Sequence, residues 1–162
     1  MLPIHTILHP TDFSEYSEYA LRLAAALTRD YGARLVVLHV VTPPTIIYGE
    51  GVVPPDPQDN LAEARERLER LAVPGNNVSA ERRFVEGDPA TEILRLARDL
   101  RADLIVMGTH GRTGLRRLLM GSVAEKLVRR APCPVLTLKT PFAEADPAEC
   151  SAQPEFATAW GI

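Results

Sequence analysis

The sequence predicts an α/β protein: a doubly wound, five-stranded parallel sheet of the Rossmann-like kind, with helices on both faces. Two observations carry this. Short apolar runs alternate with stretches of helical period from residue 4 to residue 139, and strands separated by helices pair in parallel through crossovers. Several of the apolar runs are also nearly continuous, as strands covered on both faces must be. Right-handed crossovers leave few arrangements, and a sheet covered on both faces must be doubly wound.

Each element follows from local features. "IHTILHP" (4–10) reads as the first strand. Ser14 then offers an N-cap, Glu15 and Glu18 suit the positive end of a helix, and Ala20, Leu23, Ala24, Leu27 and Tyr31 recur at helical spacing before Gly32 stops it. "ARLVVLHVV" (33–41) is the second strand. Residues 42–58 contain five of the fourteen prolines and form a long connection, read as a functional flap or a mobile insert. Leu61, Ala64, Leu68 and Leu71 mark the second helix, and "SAERRFVEG" (79–87) is a third strand polar enough to lie at an edge. Asp88 and Pro89 cap and open a third helix with Ile93, Leu94, Ala97 and Leu100 facing inward. "ADLIVMG" (102–108), a helix over 122–130 and "CPVLTLK" (133–139) complete the series. Residues 1–140 are expected to form one domain, and 141–162, with four acids and no Lys or Arg, an acidic tail.

Composition narrows the function. A formal net charge of −3 argues against a nucleic-acid binder, which needs a basic excess to displace counterions. Cys133 and Cys150 lack the spacing of a disulfide framework, and Cys133 suits a small buried hydrophobe. No apolar run approaches membrane-spanning length and the start lacks a signal-peptide pattern, so a cytoplasmic, soluble protein with no membrane partner is expected.

Ligands of doubly wound sheets bind beyond the carboxyl ends of the strands, where strand order reverses. The first strand ends in "HPTDFS", with Asp12 at its lip, and the fourth ends in "MGTHG". If these strands are neighbours, Asp12 and Gly108 face one crevice. Residues 108–121 hold four glycines, three arginines (Arg112, Arg116, Arg117) and no acid. Bare amides at the start of the following helix, around Gly121 and Ser122, make an anion site with the helix dipole behind them. Plainer readings stand beside this one. Ser122 and Glu125 can form a capping box, the glycines can simply shape a turn, and the arginines can be a solvated face. The lysine-bearing phosphate loop, the dinucleotide fingerprint and the nucleophile elbow are all missing. His5, His9 and His39 fall in strand-like runs, and His110 alone sits in the loop, so no catalytic pair or metal-ligand set is evident.

These residues resemble the universal stress protein family over about residues 3 to 139. The carrier is G-x2-G-x9-G-[ST], here Gly108, Gly111, Gly121 and Ser122, following Met107. "ILHPTDFSEYSEYAL", "LVVLHVV" and "EGDPATEIL" are also similar to family segments. The resemblance implies strand order 3-2-1-4-5 and binding of ATP, or of AMP or ADP, with Mg. It implies Asp12, with Pro10 and Thr11, at the ribose; Val40 at the adenine edge; and Met107 and Gly108 on the sugar side. Gly111, Gly121, Ser122 and Val123 are implied at the phosphates, beside His110 and Arg112. It also implies a homodimer through the fifth strand, Val135, Leu136, Thr137 and Leu138. The leading expectation is a nucleotide-binding, stress-response regulator, with an unidentified protein partner left open. The rivals are a slow ATPase or nucleotidyl-transfer enzyme using Asp12 or His110, and a structural dimer module without nucleotide.

Overall fold

Five parallel strands and four helices alternate along the chain in the computed structural model, which describes residues 3–42, 57–75, 78–109 and 120–139. The strands are β1 (Thr6–Pro10), β2 (Arg34–Val41), β3 (Ala80–Glu86), β4 (Leu104–Gly108) and β5 (Val135–Leu138). Between them run α1 (Glu15–Tyr31), α2 (Pro57–Glu69), α3 (Pro89–Asp99) and α4 (Ser122–Arg130). The sheet order is β3-β2-β1-β4-β5, so the chain winds outward from β1 in one direction, returns, and winds outward in the other. The expected doubly wound architecture is the one observed. The proline-rich connection falls largely outside the described residues, as do His110, Gly111, the three loop arginines and the tail.

Alternation along the strands sends successive side chains to opposite faces. Ile7, Leu35, Val37 and Val106 pack with Ala20, Leu21 and Ala24 of α1 and Leu68 of α2. Leu8, Val36, Leu38, Ile105 and Met107 pack instead with Ile93, Leu94 and Ala97 of α3 and Ala124 and Leu127 of α4. Each face thus has its own core. The more polar β3 lies at one edge, as its composition requires.

Local chemistry sets the helix limits. Ser14 caps α1 by accepting from the Ser17 amide, and Gly32 ends it in the left-handed conformation at φ 63°. Asp88 caps α3 through the Thr91 amide. Two expectations need correction. Tyr31 is 41% exposed, because the buried stripe of α1 runs through Ser17, Leu21, Ala25 and Thr28 rather than on to the last turn's aromatic. His5 precedes β1, where its backbone amide donates to Asp103 Oδ2 at 2.8 Å.

Candidate functional site

The carboxyl rim of the sheet is built where β1 and β4 lie side by side. β1 pairs with β2 through Pro10 and Leu38, and with β4 through Leu8 and Ile105. Those pairings bring the ends of the two strands, Pro10 and Gly108, to the same carboxyl edge. α1 leaves β1 toward one face, and α4 follows β4 on the other. The two polar exits are therefore neighbours on one rim, at the reversal of strand order.

On the β1 side, residues 11–14 turn sharply into α1. Asp12 Oδ1 accepts from the Ser14 amide at 3.0 Å and from Ser14 Oγ at 2.6 Å, which orients the carboxylate. Ser17 Oγ donates to Thr11 Oγ1 at 2.8 Å, and the Thr11 amide continues the sheet to the Leu38 carbonyl. Beneath this turn His9 is fully buried, its Nδ1–H donating to the Val106 carbonyl at 2.8 Å across the β1–β4 seam. Burial pushes the His9 imidazole down to about 4, against weaker upward pulls from that carbonyl and from Asp12, so the ring is neutral at pH 7.

On the β4 side, the absence of a side chain at Gly108 has a packing cause. A Cβ there would stand 2.9 Å from the Tyr16 backbone carbon and 2.9 Å from Tyr16 Cβ, inside any real contact distance. Gly108 thus lets α1 lie against the end of β4. Thr109 follows, donating from its amide to the Leu138 carbonyl at 2.8 Å, while its own carbonyl accepts from the Gly121 amide at 2.8 Å. Residues 109 and 121 therefore tie together the two ends of the glycine-rich loop.

Gly121 is itself the N-cap of α4, in extended backbone at φ −71°, and it makes no side-chain cap bond. Its carbonyl accepts from the Glu125 amide at 2.9 Å. This corrects the capping-box reading: Ser122 is the first helical residue, one position too far along to close a box with Glu125. Of the three helix starts with an assigned cap, this is the one whose N-cap residue makes no side-chain bond to the first amides.

Val40, Met107 and Val123 meet on the α3/α4 side, where Met107 is buried and the other two pack partly buried against the same core. Pro10, Thr11, Asp12, Met107, Gly108, Gly121 and Ser122 all lie at the carboxyl rim; His110, Gly111 and Arg112 lie outside the described residues. Val135 to Leu138 form the far edge of the sheet, with Leu136 39% exposed. Sequence reading missed Thr109 and Tyr16, since both act through contacts made by distant segments. Among the described residues no three His, Cys, Asp or Glu side chains cluster as metal ligands, and no helix is long and apolar enough to cross a membrane.

Fold and rim together define a doubly wound α/β protein of the Rossmann-like class, with polar strand exits at its switch point. The universal stress protein family model matches residues 3–139, and the chain belongs to that family. Among curated relatives, universal stress protein MJ0531 of Methanocaldococcus jannaschii is 36% identical over 143 residues, covering 85% of this chain and 84% of the relative. Among solved structures, the universal stress protein from Archaeoglobus fulgidus in complex with dAMP superposes with a TM-score of 0.62 at 25% identity, covering 86% of this chain and 100% of that one. A universal stress protein in complex with cAMP gives a TM-score of 0.58 at 26% identity, covering 86% and 99%.

Proposed function

We propose that this protein is an adenine-nucleotide-binding regulator of the stress response, holding ATP, ADP or AMP in the β1–β4 crevice. The observation that carries the reading is that the Asp12 carboxylate, oriented by Ser14, and Gly121, an N-cap with no side chain of its own, both lie on the carboxyl rim. A carboxylate is an acceptor-only group with about four lone-pair sites, the chemistry that suits ribose hydroxyl donors. The first amides of α4, from Gly121 through Val123, suit phosphate oxygens for the reasons that make helix starts anion sites. Val40 would meet the adenine edge through its backbone, with Pro10, Thr11, Met107 and Gly108 around the sugar. Gly111, His110 and Arg112 would reach the phosphates from the loop.

The dAMP and cAMP complexes of two relatives support an adenosine phosphate as the ligand class. A magnesium ion would arrive on the phosphates, since Mg²⁺ keeps several waters and needs few protein ligands. The binding unit is residues 1–140, with 141–162 outside it. A homodimer through β5 is part of the proposal, because an edge strand with an exposed Leu136 invites pairing.

Titration calorimetry with ATP, ADP and AMP, each with and without Mg²⁺, tests the reading. Saturable heat with at least one of them, lost in Gly121→Val while the melting temperature holds, is the expected result. No heat from any of the three, and no nucleotide released on denaturing freshly purified protein, overturns it. Sedimentation of the same samples reads the dimer, which Leu136→Lys should weaken.

A further inference from the structure

Residues 11–14 carry a strained backbone. Phe13 has φ +61°, a region that residues with a side chain seldom enter and that persists only where surrounding contacts impose it. The imposing contacts are visible. The Phe13 amide donates to Thr11 Oγ1 at 3.1 Å, and its ring packs on the His39 imidazole with centroids 4.3 Å apart. The Arg67 guanidinium lies over the same ring at 4.6 Å, and Arg67 Nη2 donates to the Phe13 carbonyl at 3.3 Å. On the other side of Asp12, His39 Nδ1–H donates to the Thr11 carbonyl at 2.7 Å. The carbonyls of the two residues flanking Asp12, Thr11 and Phe13, are thus each gripped by a side chain from another element, one from β2 and one from α2.

We infer that Arg67 is a positioning residue for Asp12. Arg67 is exposed, and the neighbouring Leu68 anchors α2 in the core. Arg67 therefore reaches back over the β1–α1 turn without being needed to seat its own helix. A guanidinium can stack on an aromatic face and donate in plane at once, which an ammonium does poorly. Through this grip the left-handed Phe13 is held, and with it the direction of the Asp12 carboxylate. The inference rests on the proposed role of Asp12 as the ribose acceptor, and it makes α2 a determinant of how well the crevice reads ribose hydroxyls.

Two measurements on wild type and Arg67→Ala test it. First, affinities for AMP and for 2′,3′-dideoxy-AMP are compared by calorimetry. Arg67→Ala should weaken AMP about fivefold and leave dideoxy-AMP within about twofold, the size of one partly exposed cation–π contact. An equal loss for both nucleotides, or no loss, overturns the inference. Second, hydrogen exchange of the Ser14 amide, which bonds to Asp12 Oδ1, is followed without nucleotide. Faster exchange in Arg67→Ala, with the β1 amide of Leu8 unchanged, is expected; an unchanged Ser14 rate refutes the grip whatever the ligand does. Wild type binding neither nucleotide defeats the reading of the crevice, and the exchange result then judges the grip alone.

Discussion

Gly108 and Gly121 stand at the two ends of one loop and are glycine for different reasons. At Gly108 the missing Cβ makes room for the protein itself, with Tyr16 of α1 filling the space at 2.9 Å. At Gly121 the backbone is extended, open to any residue, and as N-cap the glycine brings no side chain of its own to the start of α4. The difference separates Gly108, where the missing side chain serves close packing within the fold, from Gly121, where packing makes no such demand. Changes at Gly108 should therefore act first on stability, and changes at Gly121 on ligand.

The largest effect lies under the strand side. His9 titrates at about 4 in the folded protein against an ordinary value of 6.5, so the unfolded chain binds the extra proton across that window. Stability then rises with pH between those limits; the contribution is complete above pH 6.5 and falls by ~3 kcal/mol as pH drops toward 4. Urea unfolding of wild type and of His9→Asn, which keeps a donor but cannot charge, should show that slope in the first and not in the second. Parallel slopes would relocate its source. Gly108→Ala comes next, with a loss of about 1–3 kcal/mol from overpacking against backbone. A stable Gly108→Ala with impaired binding would erase the distinction between the two glycines.

On the helix side, Gly121→Asp gives the N-cap a side chain able to bond the first amides and places a carboxylate where phosphate is proposed. Its stability should change by only about a few tenths of a kcal/mol, since glycine is nearly as good a cap. Its nucleotide affinity should fall at least about tenfold, or ~1.4 kcal/mol. Undiminished affinity would mean that the bare helix start holds nothing. The smallest effect sharpens the contrast. Asp88→Ala removes the side-chain cap of α3 and should cost ~1 kcal/mol by thermal melting, with nucleotide binding untouched.

Much of this was legible beforehand. The strand–helix alternation determined a doubly wound parallel sheet because apolar period and crossover handedness leave little choice. Ser14, Asp88 and Gly32 marked helix limits because capping is a matter of a few neighbouring residues. Asp12 and the glycine pattern stood out because each follows directly on a strand. Residues 122–125 have the types and spacing of a capping box, yet which residue takes the N-cap depends on where Thr109 holds the incoming chain.

Sequence alone, then, determined the order of elements, the two-faced core and which strand ends carry polar groups, for these depend on period, caps and crossover chemistry within short stretches. Tertiary structure decided why Gly108 is glycine, how His9 comes to be neutral beneath the rim, and that Arg67 and His39 grip the turn around Asp12. Those depend on side chains from separate elements meeting in space, and no local pattern encodes a distance between residues that the sheet and its helices bring together.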